Sequence, residues 1–309
     1  MHDLIAPAHE SGARLVYAEE KAQENADKRR EDERRFCLRI GRLAVRSLYA
    51  ELTLYPKPGL VSLRDNGSHD DMSAATFMRS MFALRHYFVR ITLAGSHGAP
   101  FGVLAALGIE AEGRMLAATG GVNTHRGAIF GLGLLCAAVG SCHAQGEALS
   151  DQAIRAVLVA RWGAALAAHA RTPNTGSHGR RVAARHGVGG ARHEAARGLP
   201  AVFEVALPAL RGALAAGRGQ RRARVDALFA LMAHIGDTNV YHRGGAAGAA
   251  TVLRHARAFL ASGGTGAAGW EERAERCHRL FVARRLSPGG AADLLAAACL
   301  VDAVTAGDA

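Results

Sequence analysis

The sequence predicts an all-α protein, a single helical bundle-like domain whose polar loops at the helix ends form one central site. Alanine and arginine are abundant, and aromatic residues make up only 6% of the 309 residues, a composition that favours helix over strand. Apolar residues recur at steps of three and four in several segments, as expected for amphipathic helices. The alternation of apolar and polar residues that is typical of strands is nowhere sustained.

The composition also limits the classes of function. Hydrophobic residues make up 49% and charged residues 21% of the chain, and the formal net charge is +11, which predicts a folded protein with a basic surface. Such a surface suits nucleic acids, membranes or small polyanions. The arginines are scattered, aromatic residues are few and no nucleic-acid-binding motif is present, so a nucleic-acid-binding protein is disfavoured.

Neither a signal peptide nor a membrane span is expected. The N-terminus lacks the apolar core of a signal peptide, and the longest apolar runs are shorter than a membrane span requires. The five cysteines include no CxxC pair, and their odd number does not suit a disulfide framework. The sequence therefore predicts a cytoplasmic protein with reduced thiols and no membrane partner.

The first segment combines a charged arm with an amphipathic helix. Residues 1–34 mix both signs of charge and are predicted to be a solvated helix or a frayed arm, with residues 35–309 forming the main domain. From Phe36 onward the apolar spacing is helical, and Glu51 continues it three residues after Leu48. A carboxylate that faces a core is costly unless it is paired, bound to metal or open to a site. We therefore predict a functional role for Glu51 rather than a helix end that emerges into solvent.

Two polar loops follow this helix. The prolines on either side of Lys57 must end the helix, and they hold the lysine on a stiff loop. Asp70 and Asp71 are expected at the N-terminus of the next helix, where backbone amides and the helix dipole favour carboxylates. Capping explains one aspartate, but it does not explain both with His69 beside them.

A third polar loop precedes the most apolar segment, GAIFGLGLLCAA, which is predicted to be a buried helix. The loop places four polar side chains directly before that helix, those of Asn123, Thr124, His125 and Arg126. Free backbone amides at a helix start attract anions. This loop is therefore predicted to hold a phosphate.

A long connection separates this part of the chain from the next clear helix. Residues 171–200 are rich in Gly, His and Arg, and they are the best candidate for a mobile loop or a subdomain boundary. Three chemically active side chains stand out there, His178, Arg192 and Glu194.

Two more helix ends complete the set of polar loops. A helix predicted over residues 223–235 ends before GDTNVYHRGG, whose polar residues are Asp237, Asn239, His242 and Arg243. Ser287 is expected to cap the last helix, with Pro288 at its first position.

The amino-acid sequences of these loops resemble those of one enzyme family. The chain contains, in this order, ELTLYPKPGLVSLRDNGSHDDM, TGGVNTHRGAIFGLGLL, GARHEAARGLP, GDTNVYHRGG and SPGGAADLLA, and together they closely resemble the triphosphoribosyl-dephospho-CoA synthase family. The resemblance runs from about Phe36 to about Val304 and omits the N-terminal arm. One departure is Arg126, where the family has lysine. Arginine keeps the charge but disfavours a role in proton transfer at this position.

The resemblance implies a transferase activity. Members of the family join C1'' of the ATP ribose to the 2'-hydroxyl of 3'-dephospho-CoA and release adenine. The product is the precursor of the prosthetic group on the acyl carrier subunit of malonate decarboxylase or citrate lyase, so that subunit, or a transferase that serves it, is a candidate downstream partner. The overall resemblance of the sequence favours malonate decarboxylase.

Such a reaction needs groups that move protons and groups that hold a triphosphate. The catalytic candidates are Glu51, Glu194 and His125, with Glu51 the first and Glu194 the second candidate for the base. Mg²⁺ is expected with the triphosphate, and its candidate ligands are Asp70, Asp71 and Asp237. The residues expected to bind ATP, the nucleotide substrate, are Lys57, His69, Asn123, Thr124, Arg126, Asn239 and Arg243.

One alternative is a Mg²⁺-dependent helical ADP-ribosyl hydrolase, which would also gather carboxylates around a ribosyl C1''. It differs from the transferase because it needs no dephospho-CoA.

Overall fold

The computed structural model describes residues 8–171 and 190–307, with side chains from residue 20 onward. All regular structure in these ranges is helical, so the predicted fold class is confirmed. The α-helices are α1 (Ala8–Leu52), α2 (Ala74–Ser96), α3 (Phe101–Thr119), α4 (Arg126–Ala144), α5 (Asp151–Arg171), α6 (Ala191–Ala196), α7 (Leu207–Ala215), α8 (Gly219–His234), α9 (Thr238–Ala261), α10 (Trp270–Ala283) and α11 (Gly289–Thr305). A π-helical turn (Ala201–Ala206) precedes α7, and a 3-10 turn (Gly264–Gly266) precedes α10.

α1 is one continuous helix of 45 residues that carries both the charged arm and the first core helix. The described side chains before Phe36 are mostly exposed, and burial begins at Phe36. Ser96 Oγ donates to Glu33 Oε1 at 2.6 Å and so fastens the arm to the end of α2. The division into arm and domain stays a prediction, and its boundary falls where burial begins.

α4 is the central helix, as its apolar sequence predicted. α2, α5 and α11 pack against it, and nearly all of its residues are buried. Gly95 and Gly140 let α2 and α4 approach closely, since a Cβ on Gly95 would lie 2.0 Å from the Ala137 oxygen and one on Gly140 2.2 Å from the Thr92 oxygen. Among the described helices, α4 alone is long and apolar enough to cross a membrane, which the sequence analysis did not expect. Its burial accounts for that composition.

The polar loops converge beside the start of α4. The loop between α1 and α2 lies against the connection between α10 and α11, where Ser68 Oγ donates to the Leu286 oxygen at 2.6 Å. Gly59 permits this contact, because its φ is +71° and a Cβ there would lie 2.1 Å from the same oxygen. The starts of α4, α9 and α11 also meet, because Asp237 accepts from the Ala291 amide and Asp293 lies against Gly127.

The start of α2 differs from the expectation. Its N-cap is Ser73, and the Ser73 N–H donates to the Thr76 hydroxyl at 3.3 Å. Neither Asp70 nor Asp71 caps this helix, so the capping interpretation is wrong. Both aspartates belong to the preceding loop.

Two other helix starts are shifted. α8 begins at Gly219, earlier than predicted, and α11 has Pro288 rather than Ser287 as its N-cap. The Ser287 hydroxyl instead lies 2.8 Å from His69 Nε2. Most of the predicted mobile connection, including His178, lies outside the described residues.

Candidate active site

A buried ion pair of Glu51 and Lys57 lies where α1 ends. Lys57 Nζ donates to Glu51 Oε1 at 2.6 Å, and Lys57 is 1% and Glu51 5% exposed. The expectation that Glu51 faces inward is confirmed, and a helix end in solvent is ruled out. Burial lowers the pKa of Lys57, and the charge of Glu51 opposes this shift. Burying either charge alone would carry the full free-energy cost of desolvation. Pairing the two charges offsets part of that cost.

The loop that carries Lys57 is held from α10. His278 Nδ1 donates to the Lys57 carbonyl oxygen at 3.2 Å, and His278 Nε2 lies 3.3 Å from Asp65 Oδ1. His278 is buried. The sequence analysis did not identify this histidine as part of the site, because the contact joins distant parts of the chain. Lys57 thus has a fixed backbone position that does not depend on Glu51.

His125 and Thr124 present buried polar atoms at the start of α4. His125 Nδ1 lies 2.6 Å from Ser80 Oγ. His125 Nε2 and Thr124 Oγ1 are buried and have no hydrogen-bond partner among the described residues. Burial, and secondarily the charge of Lys57, lower the pKa of His125 to about 3, so the ring is neutral at physiological pH. Buried polar atoms are nearly always paired in folded proteins, so these two atoms mark a position where a ligand is expected.

Asp293 adds a second carboxylate that the sequence analysis missed. It lies in the first turns of α11 and accepts a hydrogen bond from the Ala128 amide of α4. A Cβ on Gly127 would lie 2.0 Å from Asp293 Oδ2, so glycine leaves the space that this carboxyl group occupies. Burial, and then the charges of Glu51 and Asp237, raise the pKa of Asp293 well above its ordinary value.

Asp237 joins the starts of two helices. It is the N-cap of α9, where Oδ1 accepts from the Asn239 amide at 2.9 Å, while Oδ2 accepts from the Ala291 amide of α11 at 3.1 Å. The Val240 and Gly290 amides also bond to this carboxylate. Burial raises the pKa of Asp237, and these amides oppose the shift. Its predicted role as a metal ligand, and the nucleotide-binding role of the exposed Asn239, stay predictions.

His69 and Arg243 connect the loop before α2 to α9 and to the loop before α11, and these contacts form the rim of the site. Arg243 Nη2 donates to His69 Nδ1 at 3.0 Å, so the Nε2–H of a neutral His69 donates to Ser287 Oγ at 2.8 Å. Burial and the charge of Arg243 lower the pKa of His69, and Asp71 opposes the shift. Arg243 Nη1 also donates to the Ser68 oxygen at 2.7 Å. Both residues are thus placed at the predicted site, and their binding roles stay predictions.

Asp70 and Asp71 lie on the outer side of this rim. Their side chains are 85% and 61% exposed. Asp70 Oδ2 lies 3.4 Å from Arg285, and Asp71 Oδ1 lies 3.5 Å from His69 Nδ1. Within the described ranges, no three His, Cys, Asp or Glu side chains are grouped so that they could hold a metal ion. The predicted Mg²⁺ binding by Asp70 and Asp71 stays a prediction.

In the predicted anion-binding loop, the side chains of Asn123 and Arg126 already contact other groups of the protein. Asn123 Oδ1 accepts from the Arg126 amide at 3.2 Å, and the Arg126 guanidinium pairs with Glu112 of α3. The Arg126 side chain is nevertheless 44% exposed. Phosphate binding by this loop stays a prediction that now depends mainly on the arginine side chain.

Glu194 has a different setting. Its Oε2 accepts from the Ala201 amide at 3.0 Å, at the start of the π-helical turn. α6, which carries Glu194, begins close to α9, since a Cβ on Gly190 would lie 3.6 Å from the Thr238 methyl group. The structure thus gives Glu194 a structural contact, and its role as the second candidate base stays a prediction.

Comparison with known proteins identifies the family of the chain. The sequence pattern of the CitG family, described as ATP:dephospho-CoA triphosphoribosyl transferase, matches residues 37–309. The chain belongs to this family. The resemblance inferred from the five loop sequences is confirmed, and the chain is an enzyme.

Individual relatives match over most of their length. The chain is 42% identical to the probable 2-(5''-triphosphoribosyl)-3'-dephosphocoenzyme-A synthase of Acinetobacter calcoaceticus, over 84% of this chain and 88% of the relative. A protein of the same description from Pseudomonas fluorescens is 42% identical over 88% of this chain and 93% of the relative. The 2-(5''-triphosphoribosyl)-3'-dephosphocoenzyme-A synthase of Pectobacterium atrosepticum is 40% identical over 85% and 88%. No solved structure matches the chain.

Proposed function

We propose that the chain transfers the 5-triphosphoribosyl group of ATP to the 2'-hydroxyl of 3'-dephospho-CoA at the cluster around Glu51, releasing adenine. The observation that carries this placement is the buried pair of Glu51 and Lys57 beside two unpaired polar atoms, His125 Nε2 and Thr124 Oγ1. A folded protein rarely tolerates such a grouping without a ligand.

Glu51 is the base in this scheme. Its carboxyl group, which is hydrogen-bonded to Lys57 Nζ, accepts the proton of the attacking 2'-hydroxyl. The C1''–O bond forms as the C1''–N9 bond breaks. The electron pair of the C1''–N9 bond leaves with adenine. Attack opposite to adenine inverts C1'', which suits a single displacement because ATP is a β-glycoside and the product of the family is α-linked.

His125 and Thr124 are suited to orient the substrate. The neutral imidazole exchanges one hydrogen bond with Ser80, which leaves its Nε2 free for another. The Thr124 hydroxyl can donate or accept. Both atoms are uncharged, so they fix the position of a ribose or base without changing the charge of the site.

Phosphate binding is assigned to exposed cations and to Mg²⁺. Mg²⁺ is usually held by one or two carboxylates together with substrate phosphates and water, and the neighbouring carboxylates of Asp70 and Asp71 fit that pattern. Asp237 fits it less well, because four backbone amides already bond to it. When bound, the ion would neutralise charge on the triphosphate. Arg126 and Arg243 are candidate guanidinium groups with exposed surface.

The activity is tested by incubating the protein with ATP, 3'-dephospho-CoA and Mg²⁺ and measuring free adenine by chromatography. Adenine is expected only when both substrates are present. Release from ATP alone at the same rate would contradict the transferase and indicate the hydrolase. Asp71→Asn should raise the Mg²⁺ concentration that gives half-maximal activity, and an unchanged value would place the metal elsewhere.

The proposal also names the enzyme that uses the product. We infer that the product serves the acyl carrier subunit of malonate decarboxylase in the cytoplasm. The support is the overall resemblance of the sequence and, for the compartment, five unpaired cysteines. Disruption of the gene should abolish malonate decarboxylase activity in cell extracts and leave citrate lyase activity unchanged. The opposite result would assign the product to citrate lyase.

A further inference from the structure

The carboxyl group of Asp293, on α11, lies in a region that α1, α4 and α9 also reach. The negative charges of Glu51, at the end of α1, and Asp237, at the start of α9, act on it, and the Ala128 amide of α4 donates to it. Gly127 leaves the space that its Oδ2 fills. The residue keeps a small exposed fraction, so a substrate at the start of α4 can reach it.

The two neighbouring carboxyl groups have opposite surroundings. Glu51 is bonded to an ammonium group, that of Lys57. Asp293 forms no ion pair within the described residues, and the charges that reach it are the negative ones of Glu51 and Asp237. Like charges and burial favour the protonated form of a carboxyl group, whereas a neighbouring cation favours the ionised form. Burial and these like charges thus favour the protonated form of Asp293, whereas Glu51 is hydrogen-bonded to Lys57.

Two carboxyl groups with different surroundings can supply an acid and a base to one reaction. We propose that Asp293 is the catalytic acid that donates a proton to the departing adenine. This inference rests on the proposed transfer reaction. As the C1''–N9 bond breaks, the electron pair moves onto adenine and the Asp293 proton bonds to a ring nitrogen, so neutral adenine leaves. Glu51 has gained the proton of the 2'-hydroxyl and Asp293 has lost one, and exchange with water restores both.

A purely structural role for Asp293 makes a different prediction. If the side chain served only to accept the Ala128 N–H, an asparagine would replace it with little effect, since aspartate and asparagine are comparable acceptors at helix starts. An acid needs the proton, which asparagine cannot donate. Asp293→Asn therefore separates the two roles while it preserves the shape of the side chain.

The experiment measures adenine release, ATP affinity and Mg²⁺ dependence for the wild type, Asp293→Asn and a control, Asp302→Asn. Asp302 lies near the other end of α11, where it pairs with Arg211. We expect Asp293→Asn to lower kcat by about 10²–10⁴, the usual contribution of a general acid, with unchanged ATP affinity. Wild-type kcat should fall at high pH as Asp293 loses its proton, and the variant should lack that dependence. Asp302→Asn should keep the wild-type rate and pH profile.

Two results would overturn the assignment. Near-wild-type kcat in Asp293→Asn would reduce the residue to a helix-start acceptor. A loss that saturating Mg²⁺ restores would make it a metal ligand instead of an acid. Failure of the proposed function is recognised separately, because the wild type itself would then release no adenine from ATP and dephospho-CoA.

Discussion

Lys57 Nζ lies 2.6 Å from Glu51 Oε1, and both residues are almost completely buried. This pair links the packing of the helix end to the chemistry of the site. Its members are six positions apart, so the turn between them must bring the lysine back onto the helix that it follows. The pair therefore affects both stability and activity, and substitutions can separate the two effects.

Replacement of Glu51 by glutamine should remove the base and leave the protein folded but less stable, because Lys57 loses its charged partner. Glutamine still offers an oxygen to Lys57 but cannot accept a proton, so adenine release should fall by about 10²–10⁴. Chromatographic detection of adenine gives the rate, and a thermal melt reports the fold. Glu31→Gln on the exposed part of α1 is the control and should behave as the wild type. A folded Glu51→Gln enzyme with full activity would remove Glu51 from the mechanism.

Replacement of Lys57 by methionine should destabilise the protein. The carboxylate of Glu51 would stay buried without its partner, which typically costs about 3–5 kcal/mol. Urea unfolding measures the loss. The double variant Glu51→Gln, Lys57→Met should recover part of it, because no unpaired charge remains. Lys28→Met, in the exposed arm, should have no effect. Equal losses in the single and double variants would show that packing, not charge, stabilises this site.

His125 should make stability depend on pH in the acidic range. Its pKa is about 3 in the folded protein and near 6.5 in an unfolded chain. Above pH 6.5 neither state binds the proton. Between pH 6.5 and 3 only the unfolded chain binds it, so the free energy of unfolding falls as pH falls, by up to about 1.4 kcal/mol per pH unit.

Urea unfolding at several pH values between 7.5 and 4 tests this. His125→Asn should show a smaller decrease than the wild type, whereas His86→Asn, at an exposed position of α2, should show the same decrease. A wild-type pH dependence in His125→Asn would mean that other groups cause it.

Gly127→Ala should displace the Asp293 carboxyl group. The added methyl would lie 2.0 Å from Asp293 Oδ2, so the carboxyl group must move away and adenine release should fall as in Asp293→Asn. Gly131→Ala is a matched control on the same helix, where a Cβ meets nothing within 4 Å. It should be neutral or stabilising by about 0.5–1 kcal/mol. Full activity in Gly127→Ala would show that the carboxyl position is unimportant.

Arg126 should bind phosphate and not base or ribose. Arg126→Ala should weaken ATP binding by about 1–3 kcal/mol, the size of a charge-assisted hydrogen bond, and leave adenosine binding unchanged. Arg126→Lys should stay substantially active because the charge is kept. Calorimetric titration of both ligands measures the difference. Equal losses for ATP and adenosine would place the base or ribose at this loop.

The sequence was sufficient for the parts of the site that depend on local spacing. The inward direction of Glu51 follows from its place in the apolar stripe of α1, and the burial of α4 follows from its composition. The approximate ends of the helices followed from proline, glycine and polar clusters. These features are set by neighbours within a few residues, which is the range over which periodicity is informative.

The sequence was insufficient where two distant segments meet. Asp293 looked like an ordinary residue near a helix start, and the one available signal was a single acid in an otherwise apolar segment, SPGGAADLLAAACLV. Its significance depends on Gly127 and Glu51, which only the tertiary structure places beside it. The capping of α2 by Ser73 was likewise missed, because nearby aspartates looked equally suitable.

The carboxyl group of Asp237, bonded to the starts of α9 and α11, has a consequence for how the enzyme holds its substrates. At the start of α4, Asp293 and Asn123 accept from backbone amides in the same way. The N-terminal amides of three helices are therefore bonded to oxygen atoms of the protein itself. Two polyanionic substrates must then find most of their countercharge on guanidinium side chains and on Mg²⁺. Single substitutions can relocate such charges without disturbing a helix, so the phosphate contacts are the part of this site most free to differ between relatives that share one reaction.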